Sequence, residues 1–288
     1  MSIRLHALGF PADWTAETAR LILDLAHANV RIVETIGGRY RLWRSREGAE
    51  VWFHEPDTSR SAGRRGANRP HPSLRSPAAL EAIEAGAIEQ AGLGITAATP
   101  FHRGLSDCTL RIKRYLAVDR DNPLEGSCQA LLPPAADGMN EQPLIVELAP
   151  FGLHPPHRLP HKVKAQVLCC AHAVWAFESS ARYLDGTPRY RRIATGSVTP
   201  VSEADVPDVP FTYHGSPMTL GLATGVIKRS FRHMNPATGM PYYWMLLETS
   251  HGAFDVVANP DQVFGDISEG HVAQVCGSFL ARLADMIA

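Results

Sequence analysis

The chain has 288 residues, 45% hydrophobic and 20% charged, with a formal net charge of -1. That length exceeds what one hydrophobic core usually serves, so two domains are expected. Near neutrality excludes whole-molecule attraction to polyanions and leaves only local patches. The 23 Gly and 22 Pro favour turns and strands over long helices.

Charge and a proline interrupt the N-terminus, unlike an export signal. The most apolar run, Val167 to Phe177, is about half of what a membrane helix needs and contains His172. Cys108, Cys128, Cys169, Cys170 and Cys276 have no disulfide-framework spacing. These features point to a cytoplasmic protein with free thiols and no membrane partner.

Asp13 or Thr15 caps a first helix with Leu21, Leu25 and Ala28 on one stripe and Ile22 beside it. Val30 to Ile36 and Arg39 to Ser45 read as strands joined by Gly37-Gly38. Gly48 then turns the chain into a third strand, Ala49 to His54, giving an antiparallel meander. Residues 57–75 hold almost nothing that can be buried and predict a mobile loop. Ser76-Pro77 starts a second helix, with Leu80, Ile83 and Ala87 inward. Further strands are predicted at Thr96 to His102, Cys108 to Val118, Cys128 to Leu132 and Leu144 to Leu148. From His161 to Glu178 the pattern reads as a buried helix, with Val163, Val167, Cys170, Ala171 and Val174 on one face. Pro207, Pro210 and Pro217 punctuate a linker, and no internal repeat is visible.

With Gly37-Gly38 as the turn, Glu34 faces Arg41 and Ile32 faces Trp43. Val33, Thr35, Tyr40 and Leu42 then form a core face, and Arg39, Arg41 and Trp43 an exposed one. Residues 31–75 contain ten Arg, no Lys and five acids. Arginine without lysine suits bidentate contact with phosphate and stacking on bases. Arg39, Arg41, Trp43, Arg64 and Arg65 are therefore candidate contacts to nucleic acid or a phosphorylated ligand. The same residues also suit a solvated sheet face, where a Glu34–Arg41 pair contributes ~0.2–1 kcal/mol.

Between Met218 and Ala288, "NPATG" and "SHG" separate a long first strand from a second through Tyr242 to Leu247 and a third through Phe254 to Ala258; a fourth is led by Gly270. This pattern resembles an OB-fold barrel, whose second and third strands bind oligonucleotides or oligosaccharides. The resemblance implies Lys228, Arg229, Arg232, Tyr243, Trp244 and Phe254 as contacts, and a closing strand from upstream such as Arg192 to Val198. Four Lys or Arg against six Asp or Glu in this segment oppose phosphate binding. The run Pro241 to Trp244 equally suits a barrel wall.

His154, His157, His161, Cys169, Cys170 and His172 have the chemistry of zinc ligands. On a helix, however, His161 and His172 lie roughly 16 Å apart, so no metal is expected. "GLGITA", Gly92 to Ala97, leads into a strand and not a helix, contrary to a dinucleotide loop, and no cofactor is expected. Asp119 to Gly126 lacks calcium-loop spacing. No linear hydrolase, zinc-protease or P-loop motif occurs.

The expected architecture is α+β: an antiparallel β-rich domain with packed helices over residues 1–212, then a small OB-like β-barrel module over 213–288. The expected function is binding of nucleic acid or another polyanion through the Arg-rich hairpin and loop. The alternatives are an enzyme with a His and carboxylate site between the two domains, and an interaction module using the Pro241 to Trp244 wall.

Overall fold

The computed structural model describes residues 3–13, 15–28, 30–57, 95, 97–117, 124–135, 140–153, 159–206 and 219–284. Arg64, Arg65, the helix expected from Ser76, most of the expected loop and the linker prolines lie outside these residues.

Two helices open the chain, α1 (Ile3–His6) and α2 (Ala16–His27). Thr15 Oγ1 accepts from the Thr18 amide at 3.2 Å and starts α2, which buries Ala19, Ile22, Leu25 and Ala26. A four-stranded antiparallel meander follows: β1 (Arg31–Thr35), β2 (Gly38–Arg44), β3 (Ala49–Pro56) and β4 (Ala97–His102). In its first hairpin Glu34 faces Arg39 and Val33 faces Tyr40, so the turn residues are Ile36 and Gly37 and not the glycine pair. A partner shift of two keeps each side chain on its expected face, and Tyr40 and Leu42 are buried. Gly38, at φ +141°, lies so close to β3 that a Cβ would strike the Glu55 carbonyl oxygen.

The rest of the described chain is nearly all strand: β5 (Cys108–Ala117), β6 (Gly126–Leu132), β7 (Gln142–Leu148), β8 (His161–Phe177), β9 (Val198–Pro200), β10 (Leu220–Met234), β11 (Pro241–Thr249), β12 (Gly252–Ala258), β13 (Val263–Phe264) and β14 (Val272–Leu283). One further α-helix, α3 (Ser180–Gly186), follows β8. The protein is thus mostly β, which corrects the expected α+β balance.

The helix expected over 161–178 is a strand of 17 residues. Val163, Ala165, Val167, Cys169 and Ala171 point into one core, while Leu168 and Cys170 point into another. A strand buried on both faces is apolar all round, and its small Ala and Cys residues imitate a buried helix. His172 is an extra residue: Ala171 faces Gly277 and Ala173 faces Cys276, so β8 bulges there.

β8 and β14 pair antiparallel along twelve positions and form a ribbon shared by two closed rings. The first ring runs β8-β5-β6-β7-β14 and the second β14-β10-β11-β12-β8. Glu147 of β7 faces Leu280 in parallel, Asp255 of β12 faces Leu168 in parallel, and Leu168 faces Leu280 across the ribbon. A pseudo-two-fold axis at the Leu168–Leu280 pair therefore exchanges the rings, a repeat of architecture without a visible repeat of sequence. The segment after residue 213 does not close on itself. Its fifth partner is β8 and not Arg192 to Val198, so the expected boundary near 212 falls within one hydrogen-bonded sheet.

Side chains pointing into the rings form one continuous core, from Leu110 and Val146 to Met245 and Phe279. On the ribbon's outer face, α1, α2 and the meander pack over Leu168, Cys170 and Leu280. At the bulge, a Cβ on Gly277 would sit 2.5 Å from the Cys170 carbonyl oxygen and 2.6 Å from Cys169 Sγ. Gly277→Ala is therefore expected to cost about 1–3 kcal/mol in chemical denaturation; an unchanged midpoint would show that the ribbon yields there.

Candidate functional site

Among the described residues, the candidates from the sequence do not converge on one site. Arg39 and Arg41 both donate to Glu55, Arg41 Nε at 2.8 Å, and the Arg pair holds the Glu55 carboxyl below its usual pKa despite burial. An open cavity of about 350 Å³ beside them is lined by Glu34, Glu55 and Asp57 with Arg39, an acidic balance. Trp43, expected on an exposed face with Arg41, is half-buried and packs edge-on against Phe10 at 6.1 Å. Arg229 lies on the same sheet face as Phe231, while Arg232 faces Tyr243 on the opposite one. Trp244 is buried, with Nε1 donating to Asp255 at 2.9 Å.

A different cluster forms where the meander meets the second ring. Antiparallel β10 and β11 place Phe231 opposite Trp244 and His233 opposite Tyr242, which puts four rings on one sheet face. His102, the last residue of β4, lies against them: 6.1 Å from Trp244 and nearly parallel, 5.9 Å from Tyr242 and 6.0 Å from His233. Phe231, about half exposed, stacks on Trp244 at 5.7 Å and forms the outer edge.

Local structure holds each part. Gly48, at φ +103°, lets the turn before β3 lie on the imidazole, since a Cβ there would sit 2.9 Å from the Arg103 carbonyl oxygen and 3.2 Å from His102 Cε1. Asn235 Nδ2 donates to the Leu8 carbonyl at 2.8 Å and Thr238 Oγ1 to that of Gly9 at 2.6 Å, fastening the β10–β11 turn to the N-terminus. Asp255, fully buried, accepts from the amides of Leu105 and Ser106, Gln166 Nε2 and Trp244 Nε1, all at 2.9–3.0 Å. It fixes both the loop after His102 and the indole.

Four polar atoms in this cluster are buried without a hydrogen-bond partner: Glu47 Oε2, Tyr242 Oη and both ring nitrogens of His102. The Glu47 carbonyl approaches the His102 ring short of a well-formed bond. Burial lowers the His102 pKa to about 4 against the pull of Asp255, and His233 adds repulsion. Burial also lowers that of His233, against Glu47, while burial and Glu47 raise that of Tyr242. At neutral pH the cluster therefore offers two neutral imidazoles, each donor and acceptor, and a phenol.

Sequence reasoning missed Glu47, His102, His233 and Phe231 because they come from one turn and two strands far apart in the chain. Only the run Pro241 to Trp244 hinted at the wall. Of the zinc-type residues, His161 and His172 lie on one extended strand roughly 36 Å apart at 3.3 Å per residue, and Cys169 and Cys170 face opposite cores. Among the described residues no group of three or more His, Cys, Asp or Glu is placed to hold a metal ion. No described helix is long and apolar enough to cross a membrane. No family model, curated protein or solved structure matches the chain.

Proposed function

We propose that the protein binds a small, planar, polar molecule at the junction of the meander and the second ring, where His102 and Tyr242 lie. Glu47, Tyr242, His102 and His233 are its hydrogen-bonding groups, and Phe231 is the exposed end of a stacking wall. The convergence of four buried, unpartnered polar atoms on one cluster carries this reading. Folded interiors rarely leave such groups unpaired, and each costs roughly 1–3 kcal/mol, which a polar guest offsets. The second ring supports an OB-like reading: three antiparallel strands, a parallel closure by β8 and an antiparallel return through β14. Here the outer face of β11 and β12 packs against the N-terminal unit through Tyr242, Trp244 and Val257.

The test is saturation-transfer NMR with a panel of nucleobases, nicotinamide and hydroxybenzoates. At least one probe is expected to bind saturably, and Glu47→Ala is expected to weaken it about tenfold, as loss of one buried hydrogen bond implies. No binder, or equal binding by the variant, would overturn the reading.

A second reading is an enzyme using the same groups. Its support is the displaced pKa of His102 beside a phenol and a carboxyl, the pairing that acid–base catalysis uses. Turnover of a bound probe, lost in Tyr242→Phe at saturating probe and so beyond the roughly tenfold weakening of binding, separates it from the first.

The polyanion reading of the hairpin has weaker support, because Glu55 engages both Arg39 and Arg41. Arg39→Ala/Arg41→Ala is expected to cost about 1–3 kcal/mol, because it leaves the mostly buried Glu55 carboxylate unpaired, and to leave oligonucleotide affinity unchanged in an anisotropy titration. A loss of affinity would restore the hairpin as a grip.

A further inference from the structure

The outer face of the β8–β14 ribbon is treated differently along its length. Its centre lies under α1, α2 and the meander. Beyond the bulge, Tyr183, Arg191, Ile193 and Val206 cover Ala173, Gln274 and Cys276, and Gln274 Nε2 donates to the Arg191 carbonyl at 2.8 Å. At the other end Lys162 and Lys164 are exposed.

This uncovered end is strongly cationic. Lys162 faces Arg111 and Lys164 faces Thr109 across β8 and β5, on the side opposite the inward-pointing Leu110, Ile112, Val163 and Ala165. Arg114 faces Gln129 on the same side, and Lys113 is the extra residue at the β5 bulge between Ile112 and Arg114. The chain has four lysines, and three of them are here. Glu141 pairs with Arg111 and Asp107 with Lys164, which leaves a surplus of three positive charges on a chain of net charge -1. Direct opposition of Lys162 and Arg111 costs sheet stability, and Glu141, which attracts Arg111, Lys113 and Lys162 alike, offsets it with a single negative charge.

We propose that this face of the first ring binds the phosphate backbone of single-stranded nucleic acid, laid along β8. Lys162 and Lys164 stand about 6.6 Å apart on alternate positions of a straight strand, a step that matches consecutive phosphates of an extended chain. Arg111, Lys113 and Arg114 flank that line. The large exposed aromatic side chains among the described residues, Tyr190, Phe231 and Phe264, lie on other elements. Binding is therefore through phosphates and independent of sequence. This site borders the His102 cluster, since Gln166, the next residue on the same face of β8, donates to the His102 carbonyl at 3.2 Å and to Asp255 at 2.9 Å; it shares no residue with the Arg39 hairpin.

The experiment is fluorescence anisotropy of a labelled twenty-nucleotide oligothymidine with the full chain, at salt between about 50 and about 200 mM. Micromolar binding is expected at low salt, with a log–log salt slope of about -2 to -3.5, as three to five phosphate contacts give for single strands. Lys162→Glu/Lys164→Glu should weaken it at least tenfold with the melting temperature retained, and Lys113→Glu/Arg114→Glu should do the same if the first pair fails to fold. Vesicles containing phosphatidylserine should not compete. Absence of binding by the unmodified chain, full affinity in a folded charge-reversed variant, or preference for the vesicles would each overturn the proposal.

Discussion

Glu50→Ala is expected to destabilise the protein by about 3–5 kcal/mol, the usual cost of removing one partner from a buried ion pair. Glu50 of β3 is fully buried and pairs with Arg282 of β14, Arg44 Nε at 2.6 Å and Trp52 Nε1 at 3.1 Å. It thereby ties the meander to the shared ribbon. Arg282 lies over the Phe101 ring at 4.2 Å, and burial lowers its pKa against the support of Glu50. Without Glu50 that guanidinium stays desolvated with no counter-charge. Urea denaturation should show the loss, and Glu50→Met/Arg282→Met should cost less than Glu50→Ala, because no charge is then stranded. If the double variant costs as much as the sum of its single changes, the two side chains act independently.

Acid is expected to destabilise the protein from about pH 6.5 downward, beginning above the range in which carboxylates titrate. Burial lowers the pKa of His102 and of His172 from 6.5 to about 4, with Arg4 adding repulsion at His172. Between these values the unfolded chain binds protons that the folded one does not. Stability is therefore complete above about pH 6.5, falls as pH drops toward 4, and levels off below it. Each ring contributes up to about 3 kcal/mol over that window at 1.36 kcal/mol per pKa unit. Asn at either position should flatten the fall by its share. Chemical denaturation from pH 7 to pH 4 measures this, and a midpoint constant over that range would mean that both rings protonate within the fold.

The local alphabet of the fold was legible where one face of an element is wet. The meander, β5, β6 and β7 follow apolar alternation, and Thr15 behaves as a cap. Legibility failed where both faces are dry. β8 shows no alternation because Leu168 and Cys170 meet the N-terminal unit while Val167 and Cys169 fill the rings. That single misreading hid the architecture, since β8 closes the second ring. The two-fold relation is also invisible in sequence: Glu147 and Asp255 occupy equivalent positions but hold different things, Arg4 and Thr99 in one case and the 105–106 amides in the other. The candidate site was illegible for a related reason. Its residues come from separate turns and strands, whereas the Arg39 hairpin caught the eye through composition alone, without sign of the Glu55 that engages it.

The most direct measurement of the central claim is a crystal structure of the protein at a resolution that places ordered solvent around His102. A bound guest or a fixed water bridging Glu47 Oε2, Tyr242 Oη and a His102 nitrogen is the expected result. Direct hydrogen bonds among those groups, closing the cluster on itself with no room for a guest, would contradict it.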